Sequence, residues 1–101
     1  MKITAASIKR KLREVFDPEL NISIVDLGLI YDIRINSKKQ VKIIMTLTTP
    51  GCPLIDFIKN DIFDKLKELG LKEKDISIEL TFEPPWSPEK MTPAGRKKIG
   101  L

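Results

Sequence analysis

The chain has 101 residues, which suits a single domain over residues 1–101 with one modest core. Apolar residues make up 42% and charged residues 32%, as in ordinary globular proteins, and no apolar run approaches the roughly 20 residues that a membrane-spanning helix needs. Histidine is absent, which excludes histidine-based general base catalysis and every metal site with a histidine ligand. The start of the chain carries no secretory pattern, and one cysteine cannot form an internal disulfide, so we expect a cytoplasmic protein.

The formal net charge of +4 is unevenly distributed along the chain. Residues 1–13 carry five cations and no acid, and residues 88–101 carry four cations and one acid, so the middle of the chain is acidic. Basic ends could suit nucleic acid or an acidic protein partner. We favour a solvated helix face and a basic tail, because no aromatic residue is interleaved with the cations to stack on bases.

The first predicted element is a helix that Thr4 caps. Its apolar residues follow helical spacing toward a core: Ile8, Leu12, Val15 and Phe16. Pro18 restricts Asp17 to extended conformations, so we expect it to end this helix.

Two alternating segments follow and predict strands joined by a hairpin connection over residues 36–40. The first is expected to bury Leu29, Tyr31, Ile33 and Ile35, and the second Val41, Ile43, Met45 and Leu47. Ile30 and Ile44 would then lie on the otherwise polar face of the sheet, as a patch for a partner or for self-association.

The clearest helix carries apolar residues at spacings of three and four, at Ile55, Ile58, Ile62, Leu66 and Leu69. Gly70 supplies its stop. A third strand over residues 75–82 is expected to bury Ile76, Ile78, Leu80 and Phe82. The order predicts an α+β fold: a two-layer α-β-β-α-β domain whose three-stranded mixed sheet has helices on one face and whose C-terminal tail is irregular, with a short helix from Pro93.

Cys52 is the first candidate for chemistry. Pro53 suits the first position of a helix, which would place Cys52 at the N-cap, where unpaired N–H groups and the helix dipole favour a thiolate. Gly51 would allow close approach of a ligand, and Thr48 and Thr49 can donate hydrogen bonds nearby. The alternative is a small structural cysteine in a strand-to-helix turn, and we favour the functional interpretation.

Three further features carry weaker predictions. Asp26, two residues before Gly28, could orient a neighbouring site or simply hold its loop as a turn residue, and both alternatives stay open. Asp17 and Glu19 could form a weak ligand pair or mark a helix exit. Trp86, after two prolines, could be presented to a partner or plug the core.

Five short segments, in order along nearly the whole chain, resemble one known family: DPEL (17–20), VDLGLIYDI (25–33), MTLTTPGCP (45–53), EPPW (83–86) and MTPAGRKKIGL (91–101). This is the metal–sulfur cluster biosynthesis family, which includes SufT-like and PaaD-like proteins. The resemblance implies a factor that assembles iron–sulfur clusters or targets them to apoproteins. The cysteine-rich tail of the PaaD-like branch is missing from this chain.

The family's reactive cysteine falls on Cys52, which the resemblance implies to be a transient iron or cluster ligand. Asp26, Thr48, Thr49 and Gly51 would support that site, and Trp86 and Met91 would contact a partner. Expected partners are apoprotein clients and other iron–sulfur assembly proteins, with a homodimer left open and no membrane association. The cofactor would be an iron–sulfur cluster bound in transit, and the protein would not be an enzyme.

Two other functions fit parts of the sequence. A KH-like nucleic-acid-binding module would share the small α-β-β-α-β architecture and basic ends, but the chain has no GXXG loop, so nucleic acid is an unfavoured partner. A thiol enzyme would need an acidic group or a helix terminus to activate Cys52, because the chain has no histidine.

Overall fold

The computed structural model describes residues 3–48 and 55–100. Helix α1 spans Ala5–Leu12 and begins at a capping box, in which the Thr4 side chain accepts from the Ser7 N–H and the Ser7 side chain accepts from the Thr4 N–H. The helix ends at Leu12, well before Pro18, so the prediction that Pro18 ends it was wrong. Phe16, predicted to face the core, is 39% exposed.

A two-stranded hairpin, which the sequence pattern did not predict, follows α1. Strand β1 (Phe16–Asp17) pairs antiparallel with β2 (Ile22–Ser23). The buried Asp17 carboxylate accepts from the N–H groups of Glu19 and Leu20 at 2.8 and 3.1 Å. Asp17 is therefore a turn residue whose Oδ1 is occupied by the backbone, rather than an open half of a ligand pair.

The three-stranded sheet is mixed, as predicted. Strand β3 (Ile30–Ile35) pairs antiparallel with β4 (Val41–Met45), which pairs in parallel with β5 (Ile76–Leu80). Helix α2 spans Ile55–Lys67 and lies in the crossover between the two parallel strands. A glycine with positive φ, Gly70, follows the end of α2.

A β-bulge at Tyr31 changes which side chains of β3 face the core. Ile30 pairs with Met45, and Asp32 pairs with Ile44, so two residue steps on β3 match one on β4. Ile30 therefore packs against the core, and its prediction for the polar face was wrong. Ile44 does lie on the half-exposed face, where Lys42 and Glu79 form an ion pair at 3.2 Å.

The core lies between this sheet and the first two helices. Its fully buried members include Ile8 and Leu12 from α1, Ile43 and Met45 from β4, and Ile58, Ile62 and Leu66 from α2. Phe82 lies beyond the end of β5 and is 38% exposed, so its predicted burial was wrong. No helix in the described ranges is both long enough and apolar enough to cross a membrane.

The predicted short helix is present as α3, Pro93–Lys98, capped by the Thr92 side chain, which accepts from the Gly95 N–H at 3.1 Å. The segment from 81 to 92 that joins β5 to α3 has little regular structure beyond one 3-10 turn at Pro88–Lys90. The tail nevertheless packs on the domain, because Met91 is 5% exposed and belongs to the core.

Candidate functional site

The predicted site residue Asp26 joins the loop before β3 to the C-terminal tail. Its backbone carbonyl accepts from the Thr92 N–H at 2.9 Å, and its carboxylate accepts from the Thr92 hydroxyl at 2.9 Å. The same carboxylate oxygen, Oδ1, pairs with Arg13 at 3.0 Å. Asp26 thereby ties together three segments that are distant in sequence: the end of α1, the loop and the cap of α3.

Trp86 forms a second link between the tail and the same loop. Its indole N–H donates to the Leu27 carbonyl at 2.6 Å, and its ring packs against the core. Nearby, the Tyr31 hydroxyl donates to the Pro84 carbonyl at 2.7 Å, and the Lys90 ammonium lies 5.1 Å from the centroid of the Tyr31 ring. The Pro-Pro-Trp segment is thus fixed over the start of β3.

Two glycines allow the tail to approach the loop closely. Gly28 has φ +76, and a Cβ there would overlap the Lys90 carbonyl. A Cβ on Gly95 would come within 2.7 Å of the Asp26 carbonyl oxygen. Backbone therefore packs directly on backbone at this junction, which only residues without a side chain permit.

Met91 and Trp86 were both predicted to contact a partner. Met91 is buried among core side chains and Trp86 is half-buried, and both serve to hold the tail on the domain. These contacts account for the burial of both residues, and their role toward a partner stays a prediction.

Cys52, Thr49 and Gly51 lie outside the described residues, as does the predicted N-cap position of α2. Thr48, the last described residue before this segment, is half-buried. Its supporting role, like that of Thr49 and Gly51, stays a prediction.

The described residues show the end of the sheet to which the segment with Cys52 is joined. We call this end of the sheet, together with the loop before β3, the frame of the site. Strands β4 and β5 are parallel, so both end at the same edge of the sheet. At that edge the Thr46 N–H donates to the Leu29 carbonyl at 2.8 Å, and the Thr81 N–H donates to the Met45 carbonyl at 2.9 Å. The loop before β3, the approach to Cys52 and the start of the tail therefore converge at the carboxyl ends of parallel strands, where α/β proteins commonly bind ligands.

Thr46 adds an unusual feature to this edge. Its side chain is fully buried, and among the residues that the structure describes it is the one whose buried side-chain oxygen has no hydrogen-bond partner. Thr46 could not be recognised from the sequence, because a threonine at the end of a strand is ordinary and only its buried surroundings make it unusual.

Within residues 3–48 and 55–100, no three cysteine, aspartate or glutamate side chains are grouped as a metal-binding set. Among the described charged groups, the clearest shifts in pKa arise in ion pairs at the surface. The hydrogen bond from Arg34 lowers the pKa of Asp32, and the hydrogen bond from Lys11 lowers the pKa of Glu68. The first pair lies on the half-exposed face of the sheet, and the second links α1 to the residue that follows α2.

The model of one protein family, described as "Iron-sulfur cluster assembly protein", matches residues 5–80 of this chain. The chain belongs to this family. The matched range contains α1, both sheets, α2 and the segment with Cys52, and it stops at the end of β5.

Relatives extend the similarity of this family member through the tail. A protein of Porphyromonas gingivalis named "Fe-S protein maturation auxiliary factor" is 40% identical over 97% of this chain and 92% of its own length. The Bacillus subtilis protein named "Fe-S protein maturation auxiliary factor YitW" is 36% identical over 94% of this chain and 92% of its own length.

A solved structure agrees with the fold. The crystal structure of a domain of unknown function, DUF59, from Bacillus anthracis superposes with a TM-score of 0.87 and is 33% identical. The superposition covers 95% of this chain and 91% of that one. The α+β architecture predicted from the sequence is thus the fold of this family.

Proposed function

We propose that this chain is a maturation factor for iron–sulfur proteins and that the Cys52 thiolate ligates iron of a cluster in transit. The family match over residues 5–80, together with two similar full-length relatives named as maturation auxiliary factors, is the observation that carries the role. The assignment of Cys52 rests on its predicted N-cap position and on the resemblance, which implies that the family's reactive cysteine falls on this residue.

In this proposal the cluster is cargo rather than a resident cofactor. Clusters are commonly held by four cysteine thiolates, and each copy of this chain supplies one. The other ligands would come from a client apoprotein, a second copy of the chain or a small thiol. Incomplete ligation by the factor favours release to a client that can supply a full set.

The carboxyl edge of the sheet supports this role by holding the approach to Cys52 in place. Thr46 and Leu29 join β4 to the loop before β3, and Asp26 joins that loop to the tail. We propose that Asp26 acts by fixing this frame, and that Thr48, Thr49 and Gly51 shape the immediate surroundings of the thiol.

The proposed partners are apoprotein clients and other iron–sulfur assembly proteins, and a homodimer bridged through Cys52 is one working form. The protein would act by binding and hand-over rather than as an enzyme, and we place it in the cytoplasm. Nothing in the fold or the relatives supports the alternative of a KH-like nucleic-acid-binding module.

Replacement of Cys52 by alanine tests the thiol. In cells that lack the native protein, Cys52→Ala should fail to restore the activity of cluster-dependent enzymes, because no thiolate remains to ligate iron. Ser77→Ala, an exposed change of similar size on the open face of the sheet, should restore it fully. Protein level and melting temperature are measured for both variants, and full restoration by a folded Cys52→Ala protein would refute the thiol mechanism.

A further inference from the structure

Three of the five large apolar side chains that are most exposed in the described chain lie at one corner of the molecule. Phe16 and Leu20, which are 39% and 45% exposed, belong to the β1–β2 hairpin, and Ile99, 43% exposed, follows α3. Helix α3 packs against β2, and the Lys98 ammonium lies 5.5 Å from the centroid of the Phe16 ring. We call this surface, formed by Phe16, Leu20, Lys97, Lys98 and Ile99, the hairpin corner.

Positive charge at the hairpin corner is not neutralised within the described chain. Lys97 and Lys98 form no ion pair with a described residue, and the Arg96 guanidinium donates to a neutral backbone carbonyl, that of Glu89. By contrast, Lys11 and Lys65, on α1 and α2, both pair with glutamates. The hairpin corner therefore combines apolar surface with two lysines, Lys97 and Lys98, that have no carboxylate partner among the described residues.

The fold does not need these side chains at the surface. Asp17 builds the hairpin turn through its carboxylate, and the backbone of Phe16 and Asp17 makes the strand pairing. The side chains of Phe16 and Leu20 project their apolar area into water instead, which is unfavourable unless something covers it.

We propose that the hairpin corner is the docking surface for a protein segment that carries carboxylates beside a large apolar side chain. The apolar side chain would cover Phe16, Leu20 and Ile99, and the carboxylates would pair with Lys97 and Lys98. This inference rests on the proposed maturation function, since such a segment would belong to a client or an assembly protein.

Charge distribution favours a protein segment over an anionic lipid surface. The exposed Glu19 carboxylate lies in the hairpin turn beside Leu20, and a flat anionic surface would meet it together with the lysines. A peptide can place its acids beside the lysines and keep them away from Glu19. Phe16 is the one aromatic side chain of the corner, and the Lys98 ammonium lies 5.5 Å from the centroid of its ring, where it competes with a stacking base.

Fluorescence anisotropy with a labelled peptide tests the docking surface on the full chain. The peptide alternates aspartate and glutamate with one leucine and one phenylalanine, and a control peptide replaces each acid with its amide. Parallel titrations use vesicles of phosphatidylcholine with phosphatidylglycerol, and a single-stranded RNA. The charge variant is Lys97→Glu with Lys98→Glu, and the apolar variant is Leu20→Ser with Ile99→Ser. The matched control is Lys38→Glu with Lys74→Glu, two exposed lysines that lie outside the corner.

The acidic peptide should bind the wild type in a salt-sensitive manner, while the amide peptide should not. The charge variant should lose affinity by about tenfold or more, and the apolar variant by a similar factor, whereas the control variant stays within about twofold. The proposal is overturned if neither peptide binds, if both bind equally, or if the control variant loses as much affinity as the corner variants. Tighter binding to vesicles or RNA than to the peptide would overturn the choice of occupant.

A second readout separates this proposal from the thiol mechanism. In the cell assay the charge variant should lower the activity of cluster-dependent enzymes although Cys52 is present, and the control variant should not. If Cys52→Ala is fully active while the charge variant is defective, the thiol mechanism fails and the docking surface stands. If Cys52→Ala is defective while both corner variants are active, the docking surface fails alone.

Discussion

Thr46 illustrates how one side chain can be fixed by its surroundings yet lack a partner for its polar atom. Its backbone N–H donates a hydrogen bond to the Leu29 carbonyl, and beside it the Thr81 N–H donates to the Met45 carbonyl. Its hydroxyl is buried and makes no hydrogen bond within the described part of the chain. A buried hydroxyl without a partner loses its bond to water on folding and gains nothing in exchange.

Replacement of Thr46 by valine should therefore leave the free energy of unfolding unchanged or raise it by about 1 kcal/mol, since the shape is kept and the unpaired hydroxyl is removed. Thr81→Val is the matched control, because the Thr81 hydroxyl is bonded to the backbone of Glu83 and its loss should be destabilising. Urea titration compares the two. A clear loss of stability in Thr46→Val would mean that the hydroxyl has a partner in solution.

Asp26 combines a predicted site residue with contacts that stabilise the fold. Asp26→Asn should lower the free energy of unfolding by about 1–2 kcal/mol, because the charged bonds to Arg13 and Thr92 weaken. Asp32→Asn, which alters an exposed pair with Arg34, should change it by much less, because water and salt screen that pair. If Asp26→Asn instead keeps full stability but abolishes maturation in cells, Asp26 acts on the cargo rather than on the frame.

Among the elements of the fold, the C-terminal tail is the one whose position on the domain could not be predicted from its sequence pattern. The helical spacing of apolar residues in α1 and α2, and their alternation in β4, reflect which face of each element is buried. The first two helices, the three-stranded sheet and its mixed topology could therefore be predicted. The docking of Thr92 on Asp26 spans 66 residues and has no periodic signal. The bulge at Tyr31 likewise adds one residue without a signature, and this is why Ile30 was assigned to the wrong face.

Two glycines with positive φ allow a test of tail docking. Gly70→Ala should cost about 1 kcal/mol, because its φ of +91 is strained for alanine but its surroundings are open. Gly28→Ala adds a steric clash with the Lys90 carbonyl to a similar strain and should cost about 3 kcal/mol. Chemical denaturation measures both, and Trp86 fluorescence reports the tail. Equal losses for the two variants would contradict the close packing of loop and tail.

At the scale of the whole molecule, ion pairs link α1 and α2 and the residues that follow each helix. Lys11 bonds Glu68 at 2.8 Å and also lies near Glu14, while Lys65 pairs with the same two glutamates. The hydrogen bond from Lys11 holds the pKa of Glu68 below its ordinary value of 4.5, and the hydrogen bond to Glu68 raises the pKa of Lys11. These pairs are exposed, so their contribution is modest and sensitive to salt.

The sign of the pH dependence follows from the lowered pKa of Glu68. Its stabilising contribution is present above the pKa of the unfolded chain and is lost as pH falls through the lower pKa of the folded state. Glu68→Gln should therefore make the loss of stability shallower between neutral pH and about pH 3, at low ionic strength. Urea midpoints across that range measure it, with Glu89→Gln, which alters no ion pair of the described chain, as the control. Identical pH profiles for all three proteins would contradict the role of this pair.

For the proposed cargo site, the sequence predicts the position of one ligand, Cys52, but not the other ligands. The sequence identifies Cys52 as the only thiol, and the fold shows the sheet edge from which its segment departs, but the ligands that complete a cluster site belong to another molecule in this account. No pattern within one chain can name them.

Anaerobic reconstitution with iron and sulfide tests the central claim most directly, with wild type and Cys52→Ala compared by visible absorption and native mass spectrometry. We predict a charge-transfer absorption and a cluster-bearing mass for the wild type, carried by two copies of the chain or by one copy with a small thiol, and neither signal for Cys52→Ala. Equal cluster signals from both proteins, or none from the wild type with the small thiol present, would contradict transient ligation by Cys52.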